Sequence, residues 1–295
     1  MGYLFLLISL FAGTLKGFCG KKTSGYTSSI GSAIFANTVR MFLCILIGFV
    51  LILATEDLRI LISSPALLLI SALSGVSSAV FVVTWLISVK KSAYMMLDIF
   101  LMLGVLIPLS ASSIFFSESI KPTQWLGIAV LFIAVVIMCS YNNTIKTKLT
   151  LSALILLLIC SIANGVADFS QKLFTRYFPD GSAAAFNFYT YVFAALVLIA
   201  AYAVTRERGL AAEKTDLKKI FGYVFTMALC LFANSYFKTM AARYLSAVLL
   251  YPLNQGCALI LSAIMSVVIF KKKFTLKAAV GMITAFAGLL IINLL

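Results

Sequence analysis

The sequence predicts an all-α polytopic membrane protein: ten transmembrane helices arranged as two inverted five-helix repeats. Three observations carry this. First, 63% of the 295 residues are hydrophobic and 11% are charged, with mean hydropathy +1.11, whereas an ordinary soluble domain is about 25% charged. Second, ten apolar stretches approach the roughly 20 residues that a bilayer crossing needs. Third, the chain is weakly similar to itself. A slide of 154 residues puts Phe116 on Phe270, Thr123 on Lys277, Gly127 on Gly281 and Ser92-Ala93 on Ser246-Ala247. A slide of 152 puts Ser9 on Ser161 and Gly13 on Gly165. Five spans per half is an odd number, so the two copies must lie inverted in the membrane, a common architecture of secondary transporters. The expected halves are residues 1–145 and 146–295.

The expected spans lie near 3–19, 31–54, 65–88, 93–116, 123–141, 149–171, 182–204, 218–240, 246–269 and 275–294, which leaves no room for a soluble domain. The first has no basic residue before its apolar run and no A-x-A-like cleavage site, so it reads as a membrane helix rather than a secretory signal. It carries a stripe of Ser9, Gly13, Lys16, Gly17 and Gly20 on one face. That stripe lines a cavity, or it is a close packing face from which Lys16 snorkels. The second span holds Arg40 about ten residues deep, and the fourth holds Asp98. These two could be each other's counter-ion.

In the sixth span Ser161, Asn164, Asp168, Gln171 and Thr175 follow a 3-4-3-4 spacing that aligns them, with Lys172 one turn beyond Asp168. A charge at the bilayer centre costs on the order of 3 kcal/mol or more, so such residues normally face a partner or an aqueous cavity. The eighth span contributes Tyr236 and Lys238. The ninth opens with Tyr251, Pro252, Asn254, Gln255 and Gly256, where Pro252 is expected to break the helix beside polar groups. A kinked helix whose amides bond to a neighbour is the plainer alternative. Small residues in the last span (Ala278, Gly281, Ala285, Gly288) suit close packing.

The expected cavity-lining and substrate residues are therefore Lys16, Arg40, Asp98, Asn164, Asp168, Lys172, Tyr236, Lys238, Tyr251 and Asn254. Asp98 and Asp168 are the candidates for carrying a coupling proton. No catalytic residue, cofactor or metal site is expected. The chain has no histidine and its six cysteines form no C-x-x-C pair, which argues against zinc or a histidine triad. The net charge of +14 is spread over short loops, not gathered on one face, so no nucleic-acid partner is expected. Alternate loops carry fifteen basic residues against six. The positive-inside rule then puts both termini outside the cell, in a multi-pass protein of the cell membrane. The expected partners are lipid and a small solute, with the chain a monomer or homodimer.

Several positions together resemble the EamA-like branch of the drug/metabolite transporter superfamily. They are Arg40, the small-residue stripe leading to Gly17 and Lys21 or Lys22, Ser92-Ala93, and the Phe116-Ser117-Glu118 exit followed by Gly127. In the second half they are Tyr236, the run from Ala242 through Arg243, Tyr244, Leu245 and Ser246 to Ala247, and Pro252. One departure is Lys272, where that family repeats the glutamate of Glu118. The resemblance implies a facilitative or proton-coupled carrier of small metabolites, often an exporter, working by alternating access, with Arg40, Tyr236 and Pro252 at its cavity. The excess of basic over acidic residues inside the spans tilts the substrate toward a carboxylate or phosphate, such as an amino acid. The competing readings on the same fold are a flippase for lipid-linked substrates and an exporter of drugs or organic cations. An intramembrane enzyme is the remote alternative and lacks a catalytic constellation.

Overall fold

The computed structural model describes residues 1–26, 29–62, 64–91, 94–118, 120–142, 150–207, 217–269 and 276–294; the side chains of some helical residues in these ranges, Asp98 among them, lie outside the described part. Ser92, Ala93, Lys272 and the boundary between the expected halves also lie outside it.

Apolar runs, with no water available to their backbone groups, form helices because a helix satisfies every N–H and C=O within the segment. Among the described residues there is no strand. The order is α1 (Gly2–Ser24), α2 (Ile30–Thr55), a short 3-10 turn (Leu58–Leu61), α3 (Pro65–Lys91), α4 (Tyr94–Gly104), α5 (Leu106–Phe116), α6 (Pro122–Asn142), α7 (Leu151–Tyr177), α8 (Ala183–Glu207), α9 (Leu217–Tyr244), α10 (Ala247–Val268) and α11 (Leu276–Leu294). Six of these are each long and apolar enough to cross a bilayer, and four shorter apolar stretches lie in the remaining spans. With α4 and α5 counted as one crossing, these are the ten expected spans, and an even number of crossings leaves both termini on one face.

Local chemistry sets the boundaries. Ser29 and Ser32 form a reciprocal capping box at the start of α2, and Thr150 accepts the Ala153 amide at the start of α7. After α5, Ser117 adopts a left-handed conformation (φ 54°) and turns the chain so that Glu118 points back over the bundle.

Two features differ from the expectation. Pro252 lies inside α10, yet the helix continues without interruption from Ala247 to Val268. The break falls instead in the fourth span, at Val105. Pro108 has no N–H to give to the Gly104 carbonyl four residues back. That freed carbonyl turns to α7, where a Cβ on Gly165 would lie 2.2 Å from it. A Cβ on Gly104 would likewise lie 2.3 Å from the Ser161 carbonyl. The two glycines allow backbone to touch backbone, and Ser161 Oγ donates to the Phe100 carbonyl at 2.7 Å beside them.

The packing follows a repeated pattern. α1 lies along α9 and α3 along α7; α2 meets α9 and α3 meets α8; α1 meets α10 and α4 meets α7. Three further pairs are α2 with α8, α4 with α10, and α6 with α11. The α6–α11 pair closes on Gly127 and Gly288, each of whose Cβ positions would lie within 3 Å of the other's carbonyl. The largest apolar core joins α1, α3, α4, α6, α7, α10 and α11, and a second joins α2, α3, α8 and α9. Leu69, Ile114, Val136 and Ile283 are exposed, as lipid-facing side chains are.

Candidate functional site

Polar residues of several helices meet at one place inside the bundle. α1 brings Gly13, Thr14, Lys16 and Gly17; α3 brings Phe81 and Trp85; α7 brings Asn164; α9 brings Asn234 and Lys238; α10 brings Asn254, Gln255 and Ser262. The cavity they enclose measures about 80 Å³. Pockets for drug-sized ligands run to roughly 300–1,000 Å³, so this space suits a few waters or a small solute. Glycines on α1 set how near its neighbours come. A Cβ on Gly13 would meet Asn234 Nδ2 at 3.0 Å, and one on Gly20 would meet the Trp85 ring at 2.4 Å.

Lys238 in the cavity wall is held in an ion pair. Lys238 Nζ lies 2.5 Å from Asp168 Oδ1, with the two side chains 9% and 1% exposed. Asn164 Nδ2 donates to the other Asp168 oxygen at 3.4 Å, and Tyr251 donates its hydroxyl to the Asp168 backbone carbonyl at 2.6 Å. Four residues further along α7, a rise of about 6 Å, a second clasp repeats the theme. Lys172 Nζ pairs with Glu118 Oε1 at 3.1 Å and donates to the Leu245 carbonyl at 3.2 Å. The other Glu118 oxygen accepts the Ala247 amide at 3.1 Å, at the positive end of α10, where Ser246 gives no side-chain cap. Glu118 thus ties α5, α7 and α10 together.

Replacing Glu118 with alanine removes a partly exposed pair and a helix-end acceptor together. It should lower stability by about 1–2 kcal/mol, and glutamine, which keeps an acceptor, by less. Thermal unfolding in detergent reads the difference, and equal losses for both variants would show that the helix-end contact contributes little.

The structure brings Lys16, Asn164, Lys238 and Asn254 to the cavity wall and Asp168 directly behind it. Tyr251 is fully buried against α7. Lys172 is engaged in the outer clasp and does not line the cavity. Tyr236 also lies off the cavity, stacked 6.2 Å from the Phe232 ring and edge-on to Phe237. Arg40 is 3% exposed on α2, and its Nε has no hydrogen-bond partner. No carboxylate among the described residues pairs with it, and the side chain of Asp98, its expected counter-ion, lies outside them. The Lys16 ammonium stands 5.9 Å above the Phe81 ring. Among the described residues no cluster of metal-ligating side chains occurs, and none of the five described cysteines forms a disulfide.

Asn234 is the amide of the site that helical spacing alone did not single out. Its Nδ2 donates to the Ser9 carbonyl at 2.8 Å and to Ser9 Oγ at 2.9 Å, and Ser9 Oγ donates back to the Asn234 carbonyl at 2.9 Å. The signal was present: Asn234 lies four residues before Lys238, hence on the same helical face.

Residues 151–294 match the EamA-like transporter family; the first half, which carries Arg40 and Glu118, falls outside that match. No curated protein matches the chain significantly. A solved crystal structure, 14% identical, superposes with a TM-score of 0.72 over 98% of this chain and 97% of its own. At that identity the likeness is one of fold. The second half of the chain is therefore similar to the EamA-like transporter family of the drug/metabolite transporter superfamily, and the chain is a multi-pass membrane protein.

Proposed function

We propose that the chain is a secondary carrier that moves a small metabolite, an amino acid or related solute, across the cell membrane by alternating access, with export among its possible directions. The observation that carries this is a small polar cavity amid apolar helices, with one ion pair at its wall and a second, one turn further along α7. Each pair joins helices that must separate for the cavity to open there: α7 from α9 at Asp168–Lys238, and α7 from the start of α10 at Lys172–Glu118.

The proposed halves are residues 1–145 and 146–295, related by an axis in the membrane plane. Supporting this, the helix contacts come in exchanged pairs: α1 with α9 against α3 with α7, and α1 with α10 against α7 with α4. Such an arrangement rocks between two states around one fixed site. Asp168 is the proposed proton carrier, since its protonation would release Lys238. The basic-loop bias supports termini outside the cell, and either a monomer or a homodimer can hold this cavity. An exporter of bulky drugs or organic cations fits less well, because the cavity is small and the charged residues that line it are lysines, Lys16 and Lys238.

The test is solute uptake into proteoliposomes containing the purified chain. Labelled amino acids should accumulate, and Asn254→Leu, which fills the cavity with an apolar group, should cut uptake about tenfold or more while the protein stays folded. Movement of a labelled lipid with no aqueous solute would favour a flippase instead. Uptake unchanged in Asn254→Leu would place the pathway elsewhere.

A further inference from the structure

We propose that the cavity recognises an acid: Lys16 anchors the carboxylate of a small solute that also carries a hydrogen-bond donor. This rests on the carrier reading above and specifies its substrate class. Two cations line the cavity, Lys16 and Lys238, and Asp168 lies behind the wall. Asp168 is committed to Lys238 at 2.5 Å. Glu118 is likewise committed, to Lys172 and to the Ala247 amide. Lys16 and Arg40 therefore have no carboxylate among the described residues.

Buried charge is tolerated where it is paired, and one aromatic ring 5.9 Å from Lys16 is a weak substitute. The two cations differ in access. Arg40 is sealed in α2, whereas Lys16 is half-buried and lines the cavity, with three donors free to turn. Lys16 is thus the cation that a solute can reach.

Across the cavity the need is reversed. Asn254, 7% exposed, presents a buried Oδ1 with no donor. An unmet buried acceptor selects for a ligand that brings a donor. A carboxylate at one end and an ammonium or hydroxyl beside it, as in a small α-amino or α-hydroxy acid, satisfies both. One reachable cation and about 80 Å³ suit a single carboxylate better than a phosphate dianion.

Binding to the purified full-length chain in detergent tests this with five probes: L-alanine, L-lactate, propionate, L-alaninamide and inorganic phosphate. Alanine and lactate should bind. Alaninamide, lacking the carboxylate, and propionate, lacking the donor, should bind about tenfold or more weakly. Lys16→Gln should weaken alanine and lactate by a similar factor, Lys16→Arg should keep most of the affinity, and Asn254→Leu should erase the preference for lactate over propionate. Wild-type affinity in Lys16→Gln, or alaninamide or phosphate equal to alanine, would overturn the proposal. If Lys16→Gln does not fold, the probe series on the wild type and Lys16→Arg still decides it. Uptake of a neutral or cationic solute without carboxylate binding would leave the carrier reading standing and remove this one. Lys16-dependent carboxylate binding in a protein that moves no solute would do the reverse.

Discussion

Asp168→Ala should be the most destabilising single change at the site, by about 3–5 kcal/mol, because it leaves the Lys238 ammonium buried and unpaired. Lys238 and Asp168 side chains are 9% and 1% exposed, so solvent cannot take over the lost partner's role. The same change takes the acceptor from Asn164 Nδ2. Thermal unfolding in detergent measures the loss. The paired substitution Asp168→Leu with Lys238→Met should recover most of it, since well-packed apolar residues often replace a buried ion pair at little or no cost. A double variant as unstable as Asp168→Ala alone would show that the loss comes from packing around α7 rather than from the orphaned charge. The stable double variant also separates structure from function. As a carrier it should be folded yet inactive, and in Asp168→Asn any proton dependence of uptake should disappear. Uptake by Asp168→Asn with unchanged pH dependence would end the proton-carrier role for this residue.

Gly165→Ala should rank next, at about 3 kcal/mol. Its Cβ would lie 2.2 Å from the Gly104 carbonyl oxygen, and also 2.9 Å from Ile107 Cδ1. A side-chain tip could move aside, but the carbonyl belongs to α4, held in place by its crossing with α7. The clash therefore forces α4 and α7 apart, and overpacking of this kind costs about 1–3 kcal/mol even where only side chains must yield. Gly222→Ala provides the control of opposite sign. Gly222 is exposed on α9 with nothing within 4 Å of a new Cβ, so alanine should be neutral or add up to about 1 kcal/mol through helix propensity. Both effects are read from the same melting experiment. A Gly165→Ala protein as stable as wild type would mean that the α4–α7 contact opens freely.

The charged and amide residues of the sixth and ninth spans were legible from periodicity. Asn164 and Asp168 align four residues apart on a helix, and a bilayer leaves such groups few places to point. What periodicity could not give is the partner across the bundle. Lys172 and Lys238 have the same chemistry, but one pairs with Glu118 in the outer clasp and the other with Asp168 at the cavity. Their assignment depends on which helix lies opposite. The broken helix shows the same limit. Proline marks both the fourth and the ninth span, at Pro108 and Pro252. Of these two prolines, Pro108 has beside it a glycine carbonyl that meets a second glycine on a neighbouring helix, and there the fourth span divides at Val105 while α10 stays whole.

The sequence by itself determined the class of this protein. Apolar length fixes the crossings because a bilayer demands internally satisfied backbone, and composition leaves no room for another architecture. Tertiary structure alone decided which of the buried charges are spoken for. An ion pair depends on a few ångströms between side chains far apart in the chain, 70 residues for Asp168 and Lys238 and 54 for Glu118 and Lys172. That spacing set Lys16 apart, as a cation at the cavity wall that no carboxylate among the described residues neutralises.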